Sequence, residues 1–169
     1  MAIIKFGTDG WRAVTGEDFV AENIARVAQA FADLYPKSPE AGRPVAIGYD
    51  RRRGSPEAAE TVASVLLGNN IPVKLFSGFC PTPAVSWVVK ETGCAAGVMI
   101  TASHNPPKWN GVKFKGSYGG AASGEYCTPI EERIVANDEA GRKPATAPLK
   151  GNALLSDLDP YGDYMASFS

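Results

Sequence analysis

Apolar and polar positions along this chain fall into blocks whose period switches between two and about four. IIKF at 3–6 is a short apolar run that predicts a strand, and GTDGWR follows as a glycine-rich turn. Thr15, with Asp18 three residues on, has the spacing of a capping box for a helix reaching about Tyr35. Inside it Val20, Ile24, Val27, Phe31 and Leu34 recur at spacings of four and three, which puts them on one apolar face. Residues 36–44, with their prolines and a glycine, read as a loop. VAIGY at 45–49 predicts the next strand, and it ends in DRRRGSP, where Ser55 and Pro56 suit an N-cap and first helical position. That helix is expected to run to Leu67, with Gly68 stopping it.

The same alternation continues. IPVKLF at 71–76 predicts a strand, and Thr82 with Pro83 opens a helix that Gly93 closes. AAGVMIT at 95–101 is almost continuously apolar, as the buried middle of a sheet requires. VKFK at 112–115 predicts a further short strand. GSYGGAASGEY at 116–126 reads as a flexible hairpin or crossover, and Thr128, Pro129 and Glu131 as the cap of a helix through about Asn137. Residues 138–152 are expected to be loose. DLDPYGDYMASFS then predicts a new helix, with Asp159 as cap, Pro160 at its first position, and Tyr161, Tyr164, Met165 and Phe168 on one side. Residues 1–152 therefore read as one domain and 153–169 as a linker with the start of a second. Strands alternating with helices predict an α/β fold, a three-layer α/β/α sandwich on a mostly parallel, mixed sheet. In such sheets sites lie at the C-terminal strand ends.

Composition narrows the picture. With 169 residues, 44% hydrophobic, 21% charged and a net charge of -1, the chain has the balance of an ordinary globular domain. Nothing in it suggests nucleic acid or a membrane surface as partner. Cys80, Cys94 and Cys127 are odd in number and lack C-x-x-C spacing, which fits reduced thiols in a cytoplasmic protein. One histidine and unpaired cysteines exclude an ordinary zinc site.

That one histidine, His104, follows Ser103 in ITASHNPPKWNGVKF, directly after the most apolar predicted strand. Pro106 and Pro107 fix two φ angles and push Asn105 toward an extended shape, so Ser103 is presented on a stiff segment. Exact placement is most of what phosphoryl transfer asks of a protein. A phosphate on Ser103 would carry about -1.5 to -2 charges, for which His104, Lys113 and Arg12 are suitable neighbours. A plain proline-rich turn with a solvated serine is the alternative. A Ser-His-Asp hydrolase fits poorly, because T-A-S-H-N is not G-x-S-x-G and a histidine adjacent in sequence is badly placed as base. Asp157 and Asp159 form a D-x-D string that is better read as linker and helix cap than as a metal site. Arg51, Arg52 and Arg53 read as a solvated basic loop.

TASHNPPKWNGVKF together with FGTDGWR resembles the α-D-phosphohexomutase family of phosphoglucomutases, phosphomannomutases and their relatives, and the likeness extends from Phe6 to about Tyr164. The resemblance implies a first domain of a four-domain enzyme, inactive as a mutase on its own. It implies that Ser103 passes a phosphoryl group to and from a phosphosugar, interconverting hexose 1-phosphate and 6-phosphate through a bisphosphorylated sugar. Ser103, His104 and Lys113 would then be catalytic, and Arg12, Ser103 and His104 would contact the phosphate. Mg²⁺ would be held through the Ser103 phosphate, its other ligands lying in a further domain, and a glucose 1,6-bisphosphate type of activator would load the serine. The remaining domains of the parent chain would be partners. GYDRR at 48–52 resembles the family's G-x-D-x-R segment, which braces the active-site loops. Ala13 departs from the glycine common at its position. The two motifs lean toward glucose or mannose as the sugar. A phosphoglucosamine mutase and a non-catalytic phosphosugar-binding module are the alternatives.

Overall fold

The structure is a computed structural model that describes residues 3–7 and 10–159. Six strands form one mixed sheet in the order β1-β5-β4-β2-β3-β6. The parallel part is built by β4 (Ala96–Ile100), β2 (Val45–Tyr49), β3 (Val73–Phe76) and β6 (Leu155–Leu158), while β1 (Gly10–Val14) and β5 (Trp109–Lys115) run antiparallel to their neighbours. One face carries α1 (Ala21–Leu34), α2 (Ser55–Gly68) and α4 (Gly124–Glu139), packed over Val45, Ile47, Val98, Ile100, Val112 and Phe114. The other face carries α3 (Thr82–Glu91), whose Ala84, Val85, Val88 and Val89 close over Ala46, Phe76 and Met99. The chain is thus the three-layer α/β/α sandwich expected, and β4, covered on both faces, is buried throughout.

Several elements differ from the sequence expectation, each for an identifiable reason. Residues 3–7 form no strand. The Phe6 amide donates to the Glu131 carboxylate instead of to a neighbouring strand, and its ring stacks on Phe114. The first strand is instead the end of the glycine-rich stretch, Gly10–Val14. Because β1 runs to Val14, the proposed cap at Thr15 is displaced, and α1 starts six residues later with Val20 at its N-cap and no side-chain cap. Ile24, Val27 and Phe31 are buried as predicted, and Val20 and Leu34 are half-buried. Helix α2 begins at Ser55 itself, with Gly54 as N-cap at φ 85°. Helix α4 begins at Gly124, four residues before the predicted cap, and takes Pro129 into its second turn.

The segment after α4 is irregular but fixed. Ser64 and Ala147 exchange two hydrogen bonds, and the Ala145 amide donates to the Gln29 side chain. The chain then returns to the sheet, where Leu155–Leu158 lies parallel to β3. This strand carries too few apolar positions to be visible in the sequence. Asp157 of the D-x-D string sits exposed on it. The helix expected after Asp159 lies outside the described residues, as do Thr8 and Asp9 of the first motif.

Candidate active site

The polar loops gather at the C-terminal end of the parallel strands. Residues 102–109 leave β4 and enter β5 through two consecutive turns, closed by Asn105 N–H to Ala102 O (3.0 Å) and Trp109 N–H to Pro106 O (2.9 Å). Pro107 occupies the second position of the latter turn, where its fixed φ fits. Ser103 occupies the second position of the former with φ 54°. A side chain bearing Cβ rarely takes that conformation, and strain of this kind amounts to about 1–3 kcal/mol and persists only where surroundings over-determine it.

The over-determining group is Arg52. Its Nη1 donates to the carbonyl oxygens of Pro106 (2.9 Å) and Trp109 (3.0 Å), and its Nη2 to those of Ser103 (2.9 Å) and Asn105 (2.8 Å). A planar guanidinium with five donors is the one side chain able to hold four carbonyls at once. Asp50 faces it, with Oδ2 3.4 Å from Nε and Oδ1 accepting from the Arg52 amide. Of the run read as a solvated basic loop, Arg52 is therefore half-buried and committed to the serine loop. Arg51 lies over the Phe79 ring at 5.6 Å, and Arg53 is exposed. The likeness of GYDRR to a loop brace, not the charge run as such, was the informative signal.

Arg12 arrives from β1, where it pairs with Gly111 of β5. Its Nη1 donates to the Asn105 side chain (2.9 Å), two residues from Ser103. Gly111 makes room for this. A Cβ there would lie 2.6 Å from the Trp11 carbonyl oxygen, 2.8 Å from that of Thr101 and 3.0 Å from Arg12 Cγ. Lys113 sits two residues further along β5 and so on the same face as Arg12, opposite Gly10 on one side and Met99 on the other. His104 is exposed beside Ser103, which is half-buried. The structure thus gathers Arg12, Ser103 and His104 at one loop and puts Lys113 on the adjoining strand face. Sequence reasoning placed Asp50 in the bracing segment but missed its partners Ser55 and Asn110. Ser55 was read as a helix cap, and Asn110 drew no attention beside its neighbours.

Among the described residues, no group of three or more His, Cys, Asp or Glu could hold a metal ion, and no helix is long and apolar enough to cross a membrane. Cys80, beneath the Arg51 loop, is buried, and burial pushes its thiol up to about 11, so it stays protonated at neutral pH.

Known proteins share this fold. The family described as phosphoglucomutase/phosphomannomutase, alpha/beta/alpha domain I, matches residues 4–141. A phosphoglucosamine mutase of Picosynechococcus sp. is 37% identical over 162 residues, covering 94% of this chain and 30% of that protein. A Schizosaccharomyces pombe protein named "Probable phosphoribomutase" is 39% identical over 163 residues, covering 92% and 27%. The crystal structure of the "putative phosphomannomutase" from Thermus Thermophilus superposes with a TM-score of 0.80 at 32% identity, over 94% of this chain and 33% of that one. The chain spans about a third of the length of these relatives. On the domain match, the relatives' identity and the shared fold, this chain belongs to the α-D-phosphohexomutase family, of which it carries the α/β/α domain I.

Proposed function

We propose that Ser103 is the residue that carries the transferred phosphoryl group of a phosphosugar mutase. The observation that supports this most is the strained Ser103 backbone, held by four carbonyl contacts from Arg52, with the Arg12 guanidinium bonded to Asn105 in the same loop. In the transfer, a sugar hydroxyl oxygen attacks the phosphorus of phosphoserine. The new P–O bond forms as the bond to Ser103 Oγ breaks, the hydroxyl gives its proton to a base, and Oγ takes one up. The second half runs in reverse with the other phosphate of the bisphosphorylated sugar. Arg12 would meet the equatorial phosphate oxygens, where charge concentrates. His104 would donate a hydrogen bond or proton beside Oγ, and Lys113 would supply a further cation or acid–base group. A phosphate on Ser103 offers Mg²⁺ one hard oxygen ligand of about six. The other ligands would come from residues outside this domain.

Glucose or mannose is the sugar reading carried by the two motifs, and the relatives do not single it out. Phosphoglucosamine mutases stand among them, so glucosamine phosphate fits about equally well. The full chain, incubated with glucose 1,6-bisphosphate and weighed intact, should gain a phosphate-sized increment that Ser103→Ala lacks. Absence of the increment from both favours the binding module. Turnover of the 1-phosphates of glucose, mannose and glucosamine, compared in one assay, decides the sugar.

A further inference from the structure

A buried relay stands behind Arg52. The Asn110 side chain is fully inaccessible to solvent, and its Nδ2 donates to Ser55 Oγ at 2.8 Å while its Oδ1 accepts from the Gly111 amide at 2.8 Å. Ser55, equally inaccessible, donates from Oγ to Asp50 Oδ1 at 2.8 Å. The same Asp50 oxygen takes the Arg52 amide, and the other faces the Arg52 guanidinium. The relay therefore links the first residues of β5, the N-terminus of α2 and the end of β2 to one cation. That cation grips the backbone of the serine loop.

Polar groups as deep as Ser55 and Asn110 are retained in a satisfied arrangement or not at all, since each unsatisfied one is expensive, and Asp50, half-buried, supplies the acceptor. Only one pattern satisfies these three. A serine hydroxyl has one proton, and here it goes to Asp50. The Asn110 amide must then give its N–H to the hydroxyl oxygen and its carbonyl to Gly111. Donor directions along the relay are thus fixed, and so is the Asp50 carboxylate that orients Arg52. None of these three residues contacts the loop's reacting oxygen in the structure. Each acts at a distance, by holding the next.

We propose that Ser55 and Asn110, through Asp50, are positioning residues for phosphoryl transfer at Ser103, acting by way of Arg52. This rests on the reading of Ser103 as the phosphoryl carrier. The relay keeps the guanidinium in the one orientation that meets all four carbonyls, and a displacement of the loop by about 1 Å is enough to slow transfer about a hundredfold.

The test uses the full chain and glucose 1,6-bisphosphate, following phosphate uptake by intact mass in wild type, Ser55→Ala, Asp50→Asn, Arg52→Ala and the double variant Ser55→Ala/Arg52→Ala. Ser55→Ala and Asp50→Asn are expected to load phosphate about 10–100-fold more slowly, with the half-saturating bisphosphate concentration unchanged within about twofold. Folding is checked by thermal melting, and the near-isosteric Asp50→Asn keeps the test decisive if Ser55→Ala melts early. A relay acting through Arg52 predicts that Ser55→Ala adds nothing once Arg52 is alanine. Wild-type loading rates in both Ser55→Ala and Asp50→Asn overturn the inference while leaving Ser103 as carrier. So does a Ser55→Ala effect that persists in full without Arg52. Failure of wild type itself to take up phosphate overturns the carrier reading, and the relay's role with it.

Discussion

Two single charges organise this molecule, and they do opposite things. At the C-terminal end of the parallel strands the Arg52 guanidinium meets four backbone carbonyl oxygens. At the far end of α1 the Asp33 carboxylate meets four side-chain donors, from Gln29 (2.8 Å), Asn137 (2.8 Å), Arg133 (3.0 Å) and Arg142 (2.6 Å). The arginine acts on main chain and so dictates the conformation of one loop. The aspartate acts on side chains and so joins elements already formed, namely α1, α4 and the segment that returns to the sheet. A convergence on backbone can hold strain in place, whereas a convergence on side chains adds stability and shapes no site.

Loss of each charge should separate the two roles. Arg52→Ala is expected to slow phosphate loading of Ser103 about a hundredfold, and Arg52→Lys to restore little of it, since a point charge on a flexible stem cannot reproduce the planar fork. Asp33→Ala is expected to load at the wild-type rate. Equal losses of rate in the two variants, measured by intact mass after glucose 1,6-bisphosphate, would erase the contrast.

In stability the ranking inverts. Asp33→Ala takes the acceptor from one N–H of each of the buried Gln29 and Asn137 amides, Gln29 keeping its bond to Asn69, a loss of about 2–3 kcal/mol. Arg133 and Arg142 add less, because both are over a third exposed and water screens them. Burial pushes the Asp33 carboxyl up. The hydrogen bonds from Asn137, Gln29 and Arg133 and the charge of Arg142 outweigh that and leave it below its ordinary 3.8. A depressed carboxyl contributes stability that is complete above its unfolded value and is lost as pH falls through the folded one. The stability gap between wild type and Asp33→Asn, read from urea denaturation midpoints, should therefore be constant from neutral pH down to about 5 and shrink below 3.8. A gap that widens toward acid would reverse the assignment.

The difference between the two regions also explains what could be read in advance. Apolar runs located β2, β3 and β4, the three-and-four spacing located the buried face of α1, and cap and glycine signals located α2 and α3, because each of these patterns is local. Such patterns failed at β1 and β6, whose membership in the sheet is decided by partners distant in sequence: Gly10 and Trp11 face Lys113 and Val112, and Leu155–Leu158 faces Val73–Phe76. The capping-box reading failed at Thr15 for the same reason, since a strand that continues to Val14 takes the residues a cap would need. At the site, Ser103, His104 and Arg12 were legible because unusual residue types cluster in punctuated motifs. The Asp50–Ser55–Asn110 relay was not, because its members are common turn and cap residues whose meaning comes only from meeting across 55 positions. Arg52 lay between these cases. Charge alone gave a solvated side chain, and only the spacing of glycine, aspartate and arginine in GYDRR gave the brace.

The smallest expected effect bears most directly on strain. If Arg52 holds Ser103 at φ 54° against its preference, glycine at that position relieves the strain without disturbing the four carbonyl contacts, which belong to the backbone. Relief of about 1–3 kcal/mol is offset by the greater freedom of glycine in the unfolded chain, about 0.5–1 kcal/mol. The net gain should be about 1 kcal/mol, or about 2–4 °C in melting temperature for a domain of this size. Ser103→Gly would then melt higher than wild type while taking up no phosphate, and Ser103→Ala, which keeps Cβ, would melt at about the wild-type temperature. A serine placed for packing would behave in the reverse way, both substitutions lowering the melting temperature as contacts are lost. A rise confined to glycine identifies a Cβ that the fold holds in the left-handed region at some expense to its own stability, a cost that selection for folding alone would remove and that a phosphoryl carrier placed there would explain.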